Sequence, residues 1–559
     1  MRSGFLFSIL TIIGLLFSQK LFAQSTSISV DTLTNLIDGI SAPFNQIQPG
    51  DTIFFEPGRR DFILIRNFTG EAENPIIFMN KKGVVTISGN YSTGISIRTS
   101  RFIRLTGTGD EANFYGFKIT GIPYGSGIGA GYLSSDFEID HVSIENTKIA
   151  GIYAKTDPDC SFAPTRDNFT QFNTIIHDNY IANTGNEGMY IGSTKYFGQL
   201  ITCDGKDTLL MPGLLKGVRI YNNIVKYAGW DGIQVSSASS DCQVYDNLVM
   251  YDSQAELSSQ MSGIMLGGGS KCDCYNNYIS SGKGCGIESH GLGGYRVFNN
   301  IIVDAGRSFK PLDTTQMKYG IYITDISVQT DSAFYVLHND IINPKSDGIR
   351  FTSVLSKGSL IASNAIINPG NYDYYEHIQT SFTGEDSYIM LPNKASDVMI
   401  TNNYFARNTD STEFDGPGYY LKVGSVLIDN AFPDTKNIDF DANGKPRIFG
   451  SAPDIGAFEF NPAYVNIPVT AKSLVLESAV FPNPVKTMLT IHYNSESQLA
   501  VILNIYNLQG SRVIEKSQNP DKGKDHEIVV RVSNLPPGVY IYQLHSGKQF
   551  VSGKFIKAD

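Results

Sequence analysis

One phrase recurs between Asn146 and Phe405: a short β-type run, an asparagine, an apolar pair, a polar turn, then a glycine followed by an apolar residue. The asparagine steps fall at Asn179, Asn223, Asn247, Asn277, Asn300, Asn339, Asn364 and Asn403. The glycine steps fall at Gly188, Gly232, Gly263, Gly286, Gly320 and Gly348. In four coils the glycine follows the asparagine by nine residues (179 to 188, 223 to 232, 277 to 286 and 339 to 348), so the register is kept. Successive asparagines are often 23 to 25 residues apart, as from 277 to 300, 223 to 247 and 339 to 364. A coil of that length fits three short strands and three turns, and longer steps mark inserted loops. One coil alone cannot bury its Ile, Val and Leu, whereas stacked coils form parallel sheets around a shared core.

The pattern therefore predicts an all-β chain, a right-handed parallel β-helix solenoid over residues 24–462. Composition agrees, because 54 glycines, 11% aromatic and only 18% charged residues suit turns and strands better than long helices. The recurring asparagines Asn179, Asn223, Asn247, Asn277, Asn300 and Asn339 are assigned a structural role. A short amide tolerates a left-handed turn and can bond its counterpart one coil away. The net charge of −10 and the lack of a Lys/Arg-rich run exclude nucleic acid as an expected partner.

The opening MRSGFLFSILTIIGLLFSQKLFAQS reads as a secretory signal peptide over residues 1–23, with Arg2 before an apolar run too short to span a membrane. No later segment is apolar enough to cross a bilayer, so no transmembrane segment is expected once the signal is removed. An exported chain can form disulfides. Cys160 and Cys203 lie in irregular inserts that a bridge can staple. Cys242 and Cys272 each stand five residues before a repeat asparagine, so they stack on neighbouring coils, either bridged or as free thiols.

After Asn461 the coil pattern stops. A linker is expected over 463–477 and a small antiparallel β-sandwich over 478–559, where alternating apolar residues run between Pro, Gly and Asn turns. Pro482, Asn483 and Pro484, the turn glycine Gly510, and Gly538, Val539 and Tyr540 closely resemble the C-terminal sorting domain of the type IX secretion system of Bacteroidetes. That resemblance implies recognition by the translocon and a secreted or outer-membrane cell-surface location. The openings IQPGDTIFFEPG and GEAENPIIF, and the closing DANGKPRIFGSAPDIGAFEF, resemble extracellular β-helix proteins of the pectate-lyase-like superfamily. This resemblance specifies a fold better than an activity.

On stacked coils, one sequence position forms a row on the outer face, and the glycine strand is the row richest in chemistry. Glu187 and Asp231 precede glycines on coils expected to be adjacent, since QLITCDGKDTLLM between them reads as a hairpin turning at Asp204 and Gly205. They are candidate Ca2+ ligands, or acid and nucleophile of glycoside cleavage, or solvated side chains beside a turn. Glu288 and His290 share one strand face with Lys283 upstream, which suits acid, base or charge-neutralising roles, although a lone surface His is more often inert. Tyr190, Trp230, Gln234, Lys283, Tyr322 and Arg350 are candidate substrate contacts. Trp230 with Tyr190, Tyr196 and Tyr227 can form a sugar platform or cover the base of a loop. Inserts at 155–172 and 195–216 can wall a groove.

Enzyme templates do not select a reaction. Ser289-His290-Gly291 matches only part of the polygalacturonase signature, Asn408-Thr409-Asp410 comes too late for it, and no Asp-Asp pair exists. The functional expectation is a secreted protein acting on an acidic or plant/algal polysaccharide as a lyase or glycoside hydrolase, with Ca2+ as the candidate cofactor. The alternatives are a non-catalytic glycan-binding adhesin and a uronate epimerase.

Overall fold

The computed structural model describes residues 26–309, 317–370, 388–407, 413–415, 419–461, 477–481, 485–494, 500–507, 512–519, 525–546 and 549–557. The signal peptide, Pro482, Asn483, Pro484 and Gly510 lie outside the described residues, as does all of the linker but Glu477. Three long parallel sheets of 13, 12 and 12 strands make a right-handed β-helix. Sheet 1 runs from Ser27–Val30 to Val398–Thr401 and holds the strand before each asparagine. Sheet 2, from Gly58–Arg60 to Tyr404–Ala406, holds the strand after it. Sheet 3, from Leu36–Asp38 to Ile389–Met390, holds the glycine strand.

Each sheet contributes one or two inward side chains per coil. In the coil that starts at Leu214, Val218 and Ile220 point inward from sheet 1, Val225 from sheet 2, and Ile233 and Val235 from sheet 3; all five are at most 1% exposed. Their outward neighbours form the rows anticipated above.

The asparagines form a ladder along the corner between sheets 1 and 2. The side-chain amide of Asn179 donates to Oδ1 of Asn223 at 3.0 Å, and the relay continues through Asn247, Asn277, Asn300, Asn339 and Asn364 to Asn403 at 2.9–3.0 Å. Each Oδ1 also accepts the backbone N–H of the asparagine one coil earlier, at 3.0–3.2 Å. The expected left-handed conformation belongs to the residue before each ladder asparagine instead: Asp178, Asn222, Asp246, Asn276, Asn299, His338, Ser363 and Asn402 all have φ between 48° and 61°. The ladder residue itself serves as a buried bridge between coils, and its neighbour makes the turn.

The glycines have a steric cause. A Cβ on Gly232 would sit 2.3 Å from Val249 Cγ1 and 2.6 Å from the Gly263 carbonyl oxygen. Gly188, Gly263, Gly286, Gly320 and Gly348 meet the inward Val or Ile of sheet 2 at 2.3–2.4 Å in the same way. Only hydrogen fits where the corner between sheets 2 and 3 folds onto the core.

Coils end at Ala406, and the rest of the segment to Asn461 does not extend them. It packs on the outside: Ala457 and Phe458 bury against Ile301, Val303, Ile342 and Ile367 of sheet 2, and Ile438 against Phe298, Leu337 and Leu360 of sheet 1. Arg447, 1% exposed, donates to Asn299 Oδ1 and to the Gly456 and Ala457 carbonyls. The C-terminal module consists of a three-stranded and a four-stranded antiparallel sheet with a core that includes Leu489, Ile491, Leu503, Ile505, Leu544 and Phe555.

Replacing Asn277 by Ala removes the donor to the Val244 carbonyl and to Asn300 Oδ1, and the oxygen that accepts both the backbone N–H and the side-chain amide of Asn247. Unsatisfied buried groups cost about 1–3 kcal/mol each, so Asn277→Ala should lower unfolding stability by about 3 kcal/mol in a denaturant titration. Gly232→Ala should lower it by about 2 kcal/mol or more through overpacking.

Candidate functional site

Sheet 3 brings the row together in register. Tyr190 pairs with Gln234, Gln234 with Met265, Met265 with Glu288, Glu288 with Tyr322 and Tyr322 with Arg350. Glu187 and Asp231 are on adjacent coils, since the Gly188 N–H donates to the Asp231 carbonyl at 3.0 Å. The intervening insert forms the hairpin Gln199–Cys203 with Lys206–Leu210, and Asp204 and Gly205 at its tip have φ of 51° and 75°.

A cleft of about 200 Å³ lies on this face, lined by Thr194, Tyr196 and Phe197 on one side, by Ser259 and Gln260 on another, and floored by Gln234, Met265 and His290. A Cys160–Cys203 disulfide ties the two inserts together, and the Arg166 guanidinium lies 4.4 Å from the Tyr196 ring centroid and donates to the Tyr196 carbonyl. The wall is thus cross-linked to its neighbour. A second bridge, Cys242–Cys272, joins in-register residues of sheet 1 within the core, while Cys274 and Cys285 are buried free thiols.

The polar centre of the cleft is a His–Glu pair. His290 Nε2 lies 2.6 Å from Glu288 Oε1, and Ser262 Oγ donates to Glu288 Oε2 at 2.9 Å. Burial acts to raise the Glu288 pKa, but the hydrogen bonds from His290 and Ser262 and the charges of His290 and Lys318 hold it below the ordinary value. Its neighbours behave oppositely. Glu187, 2% exposed, is pushed up to about 7 by desolvation. Asp231, fully buried, is raised well above the ordinary carboxyl value by burial first and then by the charges of Glu288, Glu187 and Asp252. Asp252 is raised to about 6 by burial. Both Asp231 oxygens and Oε2 of Glu187 have no protein hydrogen-bond partner among the described residues.

Several expected site residues stand elsewhere. Lys283 bonds Glu256 at 2.6 Å, which ties the 253–261 loop to the next coil; it does not serve the Glu288–His290 pair. That loop bonds back to Ala228, Gly229 and Trp230 and covers the corner before Asp231. Trp230 and the tyrosines split into separate groups. Tyr190 packs with Tyr153 and Lys155, Tyr196 with Phe197 and Arg166, and Tyr227 stacks on Tyr251. The Trp230 carbonyl accepts the Ser253 N–H at 2.8 Å at the base of the covering loop. Arg350 bonds Asp347 at 2.8 Å and lies near the Tyr319 ring, which packs against Tyr322.

Sequence reading missed Asp252 and Lys318, which influence the electrostatics of the site, and Thr194, Phe197, Ser259 and Gln260, which shape the cleft. All sit in loops or corners without a repeat position. It also missed a network on the outer face of sheet 1, where Arg104 bonds both Glu138 (3.1 Å) and Asp140 (2.8 Å), and His177 Nε2 lies 3.0 Å from Glu138. The strand before each asparagine was the place to look, since Asp140 and His177 are register partners there.

The donor atoms of Glu138, Asp140 and His177 lie within 4.8 Å of one another, the one such trio of His, Cys, Asp or Glu among the described residues. Arg104 already takes the place of a cation between the two carboxylates. Desolvation works to lower the His177 pKa, but hydrogen bonds to Asp178 and Glu138 raise it to about 9. Ca2+, expected at Glu187 and Asp231, finds no convergent third acidic or His ligand among the described residues there.

Parallel coils of this kind form the body of a secreted β-helix protein, and sequence families define its parts. Residues 479–558 match the secretion system C-terminal sorting domain. The chain thus ends in a type IX sorting module and is secreted or attached to the cell surface. Residues 214–425 match the family described as periplasmic copper-binding protein (NosD). Among the described residues of that stretch no three His, Cys, Asp or Glu donors converge. No curated protein matches the chain. Similar solved structures include the pectate lyase Pel9A, 12% identical with a TM-score of 0.41, covering 78% of this chain and 98% of that one. An alginate lyase from Paenibacillus sp. str. FPU-7 is 17% identical, TM-score 0.32, covering 56% and 93%. A PL6 family polysaccharide lyase from Pseudopedobacter saltans is 15% identical, TM-score 0.30, covering 76% and 98%. No helix among the described residues is long and apolar enough to cross a membrane.

The raised Glu187 pKa has a measurable consequence. A carboxyl whose folded pKa lies above its unfolded value stabilises the fold fully below about pH 4.5, and that contribution is lost as pH rises through about 7. Thermal unfolding of Glu187→Gln should therefore be flatter with pH across that window than that of the parent. The variant should gain up to about 3 kcal/mol relative to the parent at pH 8 and little at pH 4.

Proposed function

We propose that the protein processes extracellular polysaccharide in the sheet 3 cleft, with His290 as the proton-transfer group and Glu288 as the residue that orients it. The observation that carries this reading is the Glu288–His290 pair at 2.6 Å, with the imidazole on the cleft floor and the carboxylate held ionised by Ser262 and by charge. An imidazole fixed by an ionised carboxylate is poised to take a proton from water or from carbon and return it to a leaving oxygen. Beside it, the environments of Glu187 and Glu288 push two carboxyl groups in opposite directions, the pattern that divides acid from base roles. Gln234 and Gln260, joined by a 3.2 Å hydrogen bond, offer amides to sugar hydroxyls. The resemblance to pectate-lyase-like proteins and the sorting domain agree with an extracellular glycan as substrate.

The adhesin reading would need an aromatic surface. The long row His177, Tyr221, Tyr245, Tyr275 and Phe298 stacks ring on ring at 4.6–5.0 Å with planes within 9° of parallel. Its faces are used by one another, and edges are what remain for a ligand.

Residues 24–461 should be incubated with pectins, alginates, glycosaminoglycans and neutral glycans, following ultraviolet absorbance for unsaturated products and reducing ends for hydrolysis. New ends are expected on at least one glycan, and His290→Ala should lower kcat by about 10²–10⁴-fold with little change in KM. Binding without any new ends would replace this reading by the adhesin.

A further inference from the structure

We infer that the cleft selects a neutral glycan over a uronate-bearing one, which makes hydrolysis, not β-elimination, its reaction; this rests on the glycan reading above. Three observations carry it. Among the described residues the lining holds no Lys or Arg, and the imidazole of His290 there is already bonded to Glu288.

The cations nearest in the fold are engaged. Arg166 is turned to the ring and carbonyl of Tyr196, Lys155 to Asp157, Lys283 to Glu256 and Arg350 to Asp347. Lys318 is buried, 7% exposed. Lys195 is exposed on the rim and does not contribute to the lining. Around the floor stand the carboxyls of Glu288, Asp231, Glu187 and Asp252, close enough for Asp231 to feel the other three.

Of the unpartnered polar atoms in the lining, the Gln234 amide oxygen is the wrong kind for an anion, while the Ser236 hydroxyl can serve either ligand. Gln234 is 2% exposed with its Oε1 unbonded, and Ser236 is fully buried with its hydroxyl unbonded. An amide oxygen accepts, so it suits a sugar hydroxyl and repels a carboxylate. A uronate would enter a lining with no Lys or Arg of its own among the described residues, beside an ionised Glu288 whose imidazole partner is already engaged, and would desolvate there without a free cationic partner.

The chemistry follows from the same absence. β-Elimination removes the proton on the carbon next to the uronate carboxyl, and that step needs the carboxylate charge neutralised. Hydrolysis needs no such group. The water oxygen bonds to the anomeric carbon, one water proton passes to the base, the glycosidic C–O bond breaks, and a proton goes to the leaving oxygen.

The test uses the mature chain with a pair of oligosaccharides of equal length and linkage, one of glucose or galactose and the other with the matching uronic acid. Binding is followed by calorimetry at low and high salt. The neutral member should bind at least about tenfold more tightly at low ionic strength, with the gap narrowing as salt screens the carboxyls. Met265→Lys, which places a cation between Gln234 and Glu288 in the row, should narrow it as well. Equal or tighter binding of the uronate member, or unsaturated products from it, would overturn the inference and leave the glycan reading standing. Failure to bind either member or any glycan of the wider panel would overturn both.

Discussion

A solenoid must repeat its turns without leaving backbone groups unpaired inside, and here the asparagine amide does this at the corner between sheets 1 and 2. Each amide N–H reaches the next coil, and each Oδ1 accepts both the side chain and the backbone of the coil before it. The Nδ2 of Asn277 also donates to the Val244 carbonyl at 2.9 Å, so one residue touches three successive coils. Aligned amide dipoles in a dry corner strengthen one another. Coil spacing and phase are set there, and the outer rows inherit both. Gln234, Met265 and Glu288 line up because the asparagines do.

The ladder also explains how far the sequence could be read. A residue that must be the same in every coil leaves a period, so the three-sheet body, the glycine row and the adjacency of Glu187 and Asp231 were legible. The glycine's cause was not, since it depends on an Ile or Val of another sheet meeting it at 2.3–2.4 Å. Nor was the division of labour at the turn, where the left-handed residue is Asp, Asn, His or Ser and carries no single letter to recognise. The candidate site was half legible. Glu288, His290 and Gln234 stood in a row, while the cleft walls come from loops that obey no period. Lys283 and Trp230 were read as substrate contacts because they sit near the right coils. In the structure the Lys283 side chain bonds Glu256 and the Trp230 backbone carbonyl accepts the Ser253 N–H, both at the 253–261 loop.

The closing segment shows a second limit of periodic reasoning. Ile301, Val303, Ile342 and Ile367 point outward from sheet 2, where a solenoid exposed to water would carry polar groups. Such rows make sense only if something covers them, and Ala457 and Phe458 do, as Ile438 covers Phe298, Leu337 and Leu360 on sheet 1. Burying Arg447 there is tolerable because its guanidinium finds two carbonyls and the Asn299 side chain. The segment that resembles a family's closing phrase is therefore a strap against the side of the last coils, with its sequence set by the face it covers.

Buried carboxyls without partners cost stability, and the ladder shows that this fold can satisfy a buried polar group when only structure is at stake. The carboxyls around Asp231 are a different case. Among the described residues Asp231 has no hydrogen-bond partner for either oxygen, Glu187 lacks one for Oε2, and the charges of Asp252 and Glu288 oppose ionisation of Asp231. A uniformly apolar corner would be more stable. A fold that is locally consistent elsewhere departs from its own rule where a function requires it. This departure adjoins the stapled hairpin, the covering loop and the His290–Glu288 pair. The partnerless carboxyls and the cleft thus have one location, where some protons are held tightly while the neighbouring Glu288, bonded by His290 and Ser262, stays ionised.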